Sequence, residues 1–396
     1  MAITLLATEI SDLCLGKPPL RSLPVTATVA DAVFTLKNSG DLYLSIWSCD
    51  RTNYVTDFND DINCCYCRCV AKICMVDVIV YLCKEENLVN PLNALQSNVL
   101  DLVSNVKGQI RHLEPNSSLL EAIDCILEGA QNLVIPIDTN VRSSPRINQL
   151  TKPSHLDPAI HCNQEVCWLT QEDVVRFLLN SIGVFSPIPA FTIEVLDIID
   201  KSTLTVHFDD PAITMLPLIS CSLMEQTSIG VVNKDNRLIG EISPFTLASC
   251  DETVAAAITT LSAGDLMAYI DFTGPSDDLV NLVKMRLSKR KLTSMLDLMD
   301  DYFNPSSLFS GCSSDDEFGP SKNGCVGRFY PGKRSEAIVC HPWNSLMAVM
   351  VQMVALRVSY AWVVQQDYTL VGIVTFSEIL KQFRSIAGSS NNISSW

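Results

Sequence analysis

Residues 361–383 read AWVVQQDYTLVGIVTFSEILKQF, and this stretch decides the fold of the chain. Two short apolar runs, 361–364 and 370–374, enclose a polar turn, a pattern that predicts a β-hairpin. Thr375 then stands where a helix would begin, and apolar residues recur behind it at helical spacing. We therefore predict a buried hairpin that leads into a helix through a hydroxyl residue.

The segment just upstream supplies the remaining parts of a small β-α-β-β-α unit. Residues 336–340 are predicted to form a strand, and Pro342 ends it. Ser345 follows as the predicted cap of a helix over residues 346–357. One strand, one helix and a hairpin with its own helix therefore form the repeating element that we looked for in the rest of the chain.

The same hairpin pattern occurs earlier in the chain, which indicates an internal repeat. Residues 229–243 overlay residues 361–375 without a gap. Two more copies are predicted from capped helices that each lead to a pair of strands. The helix of the first copy starts at Thr28, and that of the second starts at Ser118, which forms a capping box with Glu121. Four copies of one unit are therefore predicted.

These copies and their inserts define the predicted domain organisation. The predicted units are 1–96 with a polar, cysteine-rich insert at 48–69, 97–184 with an insert at 138–165, 185–250, and 251–384 with a helical insert at 275–303 and a loop at 304–328, followed by a polar tail at 385–396. The predicted fold class is α+β. The apolar helices need partners that bury their faces, and we expect the third and fourth units to share a helical interface.

Composition limits the function classes that the chain can serve. Of the 396 residues, 47% are hydrophobic, which is enough for two compact modules with buried cores. The formal net charge of −16 argues against nucleic-acid and anionic-membrane partners, which need clustered basic residues. The N-terminus lacks a secretion signal, and no apolar run reaches the ~18 residues of a membrane span. We expect a cytoplasmic protein with reduced thiols, with the nucleus as the alternative compartment.

Neither a metal site nor a catalytic site is predicted. Cys64 and Cys67 have CxxC spacing, but a structural zinc site needs a second pair at matching spacing. The sequence contains no Gly-rich phosphate loop, HExxH or GxSxG motif, and its five histidines are scattered. We therefore predict a non-catalytic protein.

The repeated unit resembles a cystathionine-β-synthase (CBS) domain. The resemblance rests on the hairpin strand 370–375 and on residues 376–378, which enter the last helix. Together, the turn before this strand, its glycine, the hydroxyl at its end and the acid in the helix stand at the spacing of that family. Since CBS units pair in tandem, the resemblance implies two paired (Bateman) modules at about 1–184 and 185–384. The arrangement is similar to the plant proteins made only of CBS domains (the CBSX group). More distantly, it resembles the four-CBS gamma subunits of AMP-activated and SNF-related kinases.

The resemblance also implies binding residues. In CBS domains that bind adenosine compounds, a Thr or Ser ends the last strand, and an Asp follows three residues later. The matching residues here are Thr170 with Asp173 and Thr375 with Glu378. A carboxylate can accept hydrogen bonds from both ribose hydroxyls, and a helix N-terminus favours phosphate. The implied ligands are AMP, ADP, ATP or S-adenosylmethionine.

The other two strand ends depart from this pattern. The first unit keeps Asp77 but has Cys74 in place of the hydroxyl, and the third keeps Ser243 but has Thr246 in place of the acid. AMP-binding relatives place His or Arg just before the first hairpin strand, where only Arg357 lies near by. We therefore expect a polyphosphate to meet few cations. The carboxylates also have an ordinary alternative role, as helix-start acids stabilised by the helix dipole.

Two functions remain open at this point. The first is a regulatory protein that binds a partner enzyme or kinase and senses an adenosine-containing metabolite in its CBS clefts. The alternative is a ligand-free scaffold for protein interactions that has kept the fold and lost the ligand. The resemblance implies a protein partner, a kinase or another metabolic enzyme, and it also allows a homodimer. Titration with adenosine compounds separates the two functions.

Overall fold

The computed structural model describes residues 2–50, 66–103, 110–137, 165–271, 274–303 and 336–391. These residues form four three-stranded sheets, which confirms the predicted α+β class. The strands are β1 Ser22–Pro24, β2 Tyr43–Asp50, β3 Tyr66–Cys74, β4 Ile110–His112, β5 Asn132–Ile137, β6 Glu165–Thr170, β7 Thr205–His207, β8 Ile229–Val232, β9 Leu238–Ile242, β10 Val339–Cys340, β11 Tyr360–Val364 and β12 Leu370–Thr375.

Helices connect and follow these strands. The α-helices are α1 Ala2–Leu6, α2 Ser11–Cys14, α3 Val29–Ser39, α4 Met75–Leu82, α5 Glu85–Val89, α6 Pro91–Leu95, α7 Leu119–Leu127, α8 Gln171–Asn180, α9 Leu216–Glu225, α10 Pro244–Ala248, α11 Val254–Thr260, α12 Ala263–Tyr269, α13 Asp277–Lys289, α14 Thr293–Phe303, α15 Leu346–Leu356 and α16 Phe376–Asn391. Within the described ranges, the chain contains no helix that is both long and apolar enough to cross a membrane.

All four sheets have the same topology. The first strand pairs parallel to the second, and the second pairs antiparallel to the third, as in β10-β11-β12. A helix crosses over between the first two strands, and another helix follows the third. Tyr360 lies opposite Thr375, so the predicted hairpin at 361–375 is confirmed. We number the four units by their sheets: unit 1 is β1–β3, unit 2 is β4–β6, unit 3 is β7–β9 and unit 4 is β10–β12.

Side-chain caps set the helix starts, because the first backbone amides of a helix have no partner within the helix. Thr28 and Asp31 form a reciprocal capping box at the start of α3. At the start of α7, the Ser118 hydroxyl accepts from the amide of Glu121 at 3.1 Å, which is one of the two hydrogen bonds of the predicted capping box. Ser345 caps α15 in the same manner. The three predicted helix starts are therefore confirmed.

The two units of each module meet through their sheets. Between units 3 and 4, Trp362 is fully buried, and a Cβ atom added at Gly230 would lie 3.1 Å from its ring. Buried Glu241 accepts hydrogen bonds from Tyr360 Oη at 3.0 Å and from Trp362 Nε1 at 2.6 Å. Burial raises the pKa of Glu241 to about 7, although these donors oppose the rise. Units 1 and 2 meet around Trp47.

Most helices, by contrast, pack against the other module. The helix α4 of unit 1 contacts α9, α10 and α11, which accompany unit 3. In the same way, α15 and α16 of unit 4 contact α8 and α7 of unit 2. The helical partners that we expected between units 3 and 4 are therefore found across the modules, and the contact between units 3 and 4 is made by sheets. Two large cores result, one for units 1 and 3 and one for units 2 and 4.

Segments near the predicted unit boundaries pack in the core of a unit that is not adjacent to them in sequence. Leu6 and Ile10 at the N-terminus share a core with Leu119 of unit 2, although they precede unit 1. In α14, Met299 joins the core of units 1 and 3, although it precedes unit 4. These segments have apolar faces that their own unit leaves uncovered, so a different unit buries them. The unit boundaries themselves stay a prediction.

The inserts are described only in part. Most of the predicted inserts 48–69 and 138–165, and the whole of the loop 304–328, lie outside the described residues. The predicted helical insert at 275–303 contains α13 and α14. The last helix continues to Asn391, beyond the predicted start of the polar tail at residue 385, and Ile386 still packs against the core.

Candidate ligand-binding site

A cavity of about 1460 Å³ lies where the four units meet, and every unit contributes to its wall. It is larger than the ~300–1,000 Å³ of most small-molecule pockets. The basic side chains in its wall are Arg68, Lys72, Lys84 and Arg357, and the acidic ones are Asp77, Asp101 and Glu172. The wall therefore carries more basic than acidic side chains in a chain whose net charge is −16. Such a wall favours an anionic ligand.

Unit 1 contributes the predicted residue Asp77 to the cavity wall. Asp77 lies in the first turn of α4, and its Oδ2 accepts from the backbone amide of Cys74 at 2.7 Å. Burial raises the pKa of Asp77 to about 6, although the bond from Cys74 and the charge of Lys72 act in the opposite direction. A carboxylate held in this way faces the cavity with one oxygen engaged by the chain.

Lys72 lies beside Asp77 in the cavity wall, on the strand β3. Its Nζ lies 3.6 Å from the centre of the Tyr43 ring, a cation–π contact. Burial lowers the pKa of Lys72 to about 8, and the charge of Asp77 opposes the fall. With this pKa, Lys72 still carries its charge in most molecules at neutral pH, and a bound anion would stabilise the charged form.

The strand end of unit 2 is engaged differently. Thr170 and Asp173 form the predicted hydroxyl–carboxylate pair at the start of α8, with Thr170 Oγ1 2.6 Å from Asp173 Oδ2. The same carboxylate oxygen forms an ion pair with Lys17, whose Nζ also donates to the carbonyl of Trp168 at 2.7 Å. Thr170 lines the cavity, whereas Asp173 is not part of its wall. An internal cation therefore occupies the position that the resemblance assigned to ribose.

In unit 4, too, the carboxylate lies outside the cavity wall. The Thr375 hydroxyl accepts from the amide of Glu378 at 3.3 Å, as a helix cap does. Lys381 donates to the Glu378 carboxylate at 2.5 Å. Neither Thr375 nor Glu378 is part of the cavity wall, but the intervening Phe376 is. In unit 3, Ser243 lines the cavity.

Arg357 enters the cavity from the C-terminal end of α15. It adopts a left-handed backbone conformation there, with φ of 55°. The equivalent position at the end of α9 is Gln226, which also has φ of 55° and also lines the cavity. Burial raises the pKa of Glu172, which also lines the cavity, and the charges of Arg176 and, less strongly, of Arg357 oppose this rise. Of the predicted residues, the cavity therefore brings together Asp77, Thr170 and Arg357.

Three cations of unit 1 were missed by the sequence analysis. The resemblance placed phosphate-binding cations before the first hairpin strands, whereas Arg68 and Lys72 lie on the last strand of unit 1 and Lys84 follows its helix. The expectation of few cations is therefore wrong for the cavity as a whole. Lys72 and Cys74 share a face of β3, but a bulge between Cys69 and Ala71 puts Arg68 on the other face, so no simple alternation in the sequence indicated this wall.

The described ranges contain no candidate metal site. No group of three or more His, Cys, Asp and Glu residues there is placed to hold a metal ion. Cys67 and Cys69 of the cysteine cluster lie in β3, while Cys64 and Cys65 fall outside the described residues.

Comparison with known proteins gives full-length matches. The CBS domain-containing protein CBSX5 of Arabidopsis thaliana is 44% identical, over 97% of this chain and 98% of that protein. CBSX6 of the same plant is 26% identical, over 96% of this chain and 94% of that protein. The SNF1-related protein kinase regulatory subunit gamma-like PV42b is 18% identical, over 95% and 94%. No family model matches the chain.

Among solved structures, a similar fold is found in an archaeal protein. A Methanocaldococcus jannaschii protein proposed as a homologue of g-AMPK superposes with a TM-score of 0.53. The match covers 95% of this chain and all of that one, at 16% sequence identity. This likeness concerns the fold alone.

Proposed function

The chain belongs to the family of plant CBS domain-containing proteins, and on that premise we propose that it is a non-catalytic regulatory protein. It binds an adenosine-containing metabolite with a phosphate group in its central cavity and reports this ligand to a partner enzyme or kinase. The observation that carries the proposal is the cavity between the four units, whose wall combines four basic side chains with hydroxyls and carboxylates. A ligand in this place contacts all four units at once.

The cations of unit 1 are the proposed phosphate contacts. Lys72 is held half-buried by the Tyr43 ring, so its charge is directed into the cavity instead of bulk solvent. A bound phosphate would replace part of the hydration that Lys72 loses on burial. The charge-assisted hydrogen bonds between them would supply the affinity. Arg357 approaches from unit 4 and completes the positive wall.

The ribose contacts are proposed at the predicted strand ends. Thr170 and Asp77 already line the cavity. Asp173 and Glu378 can take part only when they leave Lys17 and Lys381, their present ion-pair partners. Thr375 remains in the proposal as the cap that fixes the helix of Glu378. AMP, ADP, ATP and S-adenosylmethionine are the ligands to compare.

Calorimetric titration of the full chain tests this proposal. We expect AMP and ATP to bind more tightly than adenosine, because only the nucleotides engage the cations. Lys72→Met should weaken nucleotide binding by about ten- to a hundredfold, the equivalent of one charge-assisted hydrogen bond. Lys234→Met, which removes an exposed lysine in the β8–β9 turn, should leave the affinity unchanged. Equal affinity for adenosine, AMP and ATP would contradict the phosphate contacts.

The protein partner is a separate part of the proposal. PV42b, a relative of this chain, is a regulatory subunit of a protein kinase by its name, and we propose the same kind of partner here, in the cytoplasm. Affinity purification of the tagged chain from plant tissue, with quantitative comparison to an untagged control, tests it. Recovery of the chain without an enriched kinase or metabolic enzyme would speak against this role.

A second function is favoured by one specific observation. Asp173 and Glu378, the carboxylates that match the adenosine pattern, each hold a lysine of the same chain. A scaffold that had lost its ligand would use internal cations in this way to neutralise the carboxylates. If none of the five compounds, adenosine included, binds the full chain, the scaffold function is the correct one.

A further inference from the structure

The helix α15 of unit 4 turns an apolar face outward. Met347, Val351 and Ala355 follow one another at four-residue spacing, so they lie on one face of this helix. All three are exposed, Met347 to 46% and Val351 to 50%. Trp343, in the turn just before the helix, is 48% exposed. We call these four residues the apolar stripe. Apolar side chains that are grouped on one exposed face, unlike scattered ones, mark an interaction surface.

The helix α7 of unit 2 is the counterpart of α15 and allows a direct comparison. Each helix begins directly after a serine cap. At the start of α7, the amide of Leu119 donates to the carbonyl of Thr8 at 2.8 Å. At the start of α15, the amide of Leu346 donates to the carbonyl of Phe191 at 2.9 Å. Because both helices have the same cap and the same neighbouring segment, residues equally far from their caps occupy equivalent positions.

The counterpart helix has a polar face at the positions of the apolar stripe. The equivalent residues are, in order, Asn116, Leu120, Asp124 and Glu128. Residues 114–129 contain four acidic side chains, whereas the equivalent residues 341–356 contain no Asp, Glu, Lys or Arg. Since unit 2 forms the same fold with a polar face at these positions, the fold does not require the apolar stripe of unit 4.

The aromatic end of the apolar stripe is already fixed in the single chain. The ring of His341 stacks on the Trp343 ring, with 4.6 Å between the ring centroids and 9° between the planes. Nδ1 of His341 lies 2.8 Å from the carbonyl oxygen of Val364, which holds the imidazole in place. An aromatic side chain that is ordered before association loses little conformational entropy when a partner covers it. Trp343 therefore has the properties of an interface anchor.

We propose that the apolar stripe is the contact between two copies of this chain, which pair through α15 about a two-fold axis. The net charge of −16 makes two copies repel each other over most of their surface. The stretch 341–356 carries no carboxylate, so two copies can approach there without opposing acids.

The apolar stripe also fits a second copy of itself in shape. In a two-fold contact, residue i of one copy meets residue j of the other, and residue j meets residue i. With the helices antiparallel and the axis between Met347 and Val351, each Met347 meets Val351 of the other copy. The same pairing places the large Trp343 of one copy over the small Ala355 of the other. The inference depends neither on a ligand nor on the kinase partner of the proposed function.

Sedimentation velocity of the full chain tests the proposal. We expect the wild-type chain to be dimeric at about 10 μM, and Met347→Asp and Val351→Lys each to raise the dissociation constant about tenfold or more. Both positions are exposed in the single chain, so thermal unfolding of the variants should match that of wild type. The matched control is Met285→Asp, which alters a methionine of α13 that is 62% exposed and should leave the dimer intact.

Two results of this experiment would overturn the proposal. One is a wild-type chain that remains monomeric at about 100 μM, which would leave a different protein as the occupant of the apolar stripe. The other is a dimer that Met347→Asp and Val351→Lys do not weaken. At about 1 M salt, the wild-type dimer should become tighter, because ions screen the repulsion between the acidic chains. Dissociation at high salt would overturn the apolar contact.

A mixing experiment tests the antiparallel pairing itself. Met347→Asp and Val351→Lys chains, each monomeric alone, are combined in equal amounts. In the proposed pairing, the introduced carboxylate of one chain meets the introduced ammonium group of the other, while the second Met347–Val351 contact is unchanged. We therefore expect a mixed dimer that neither variant forms alone. A mixture that stays monomeric would overturn this pairing.

Discussion

The strand ends of unit 1 and unit 2 have the same local design and different surroundings. In both, a carboxylate in the first helical turn accepts from the backbone amide three residues earlier, Asp77 at 2.7 Å and Asp173 at 2.8 Å. Asp173 then pairs with Lys17, outside the cavity wall. Asp77 faces the cavity beside Lys72, where burial raises its pKa to about 6.

This difference shows that a sequence motif specifies a cap more firmly than it specifies a binding site. By sequence, unit 2 is the intact copy and unit 1 the degraded one, because Cys74 replaces its hydroxyl. In the structure, unit 1 contributes Asp77 and three of the four cations to the cavity wall. The carboxylate of the intact copy is neutralised by a lysine of the same chain.

The largest effect is expected from Asp173→Ala. This variant loses a cap of about 1 kcal/mol and a half-buried ion pair of about the same value, so the free energy of unfolding should fall by about 2 kcal/mol. The matched control is Asp31→Ala, because Asp31 forms a capping box with Thr28 within the same helix start. It should cost about 1 kcal/mol. Urea unfolding measures both; equal losses would remove the distinction between the two acids.

A pH-dependent effect is expected from Asp77→Asn. The pKa of Asp77 is raised from 3.8 to about 6 on folding, so its protonated form stabilises the fold at low pH. This stability is lost as the pH rises through about 6. Between pH 4 and pH 7.5 the variant should therefore gain about 1.5 kcal/mol relative to wild type, about half of the full linkage value because the cavity admits water. Glu241 titrates in the same pH range in both proteins, so its contribution cancels in the difference between variant and wild type. A constant difference across this range would contradict the burial of Asp77.

A double-mutant cycle sharpens the comparison further. Lys17→Met and Asp173→Ala, alone and together, should show a coupling of about 1 kcal/mol in urea unfolding, since both side chains are mostly buried. The coupling should decrease at high salt because ions screen the pair. Additive effects of the two substitutions would mean that the ion pair does not stabilise the fold.

The smallest effect is expected from Thr170→Ser. The hydroxyl that accepts from the amide of Asp173 remains, so the loss should be about 0.5 kcal/mol or less. Thr170→Val keeps the shape and removes the hydroxyl, and it should cost about 1 kcal/mol. Thermal unfolding separates the two variants. If both cost the same, the hydroxyl of Thr170 is not acting as a cap.

Most of the fold could be predicted because its determinants are local. The hairpin 361–375, the caps Thr28, Ser118 and Ser345, and the four copies all depend on residues close together in sequence. The partners of the helices could not be predicted, because an apolar helix face indicates that the face is buried but does not indicate which element buries it. The site was predicted only in part: Asp77, Thr170 and Arg357 line the cavity, whereas Asp173 and Glu378 are held by lysines.

The sequence by itself determined the repeated unit, the starts of its capped helices and the carboxylate caps, since each rests on contacts within a few residues. Thr170 and Asp173, for example, are three residues apart. Only the tertiary structure decided which carboxylate faces the cavity and which is neutralised. Lys17 and Asp173 are separated by 156 residues, and the cations of unit 1 meet Arg357 only after both modules have packed. Such long-range neighbours are set by the packing of whole units, which no local pattern records.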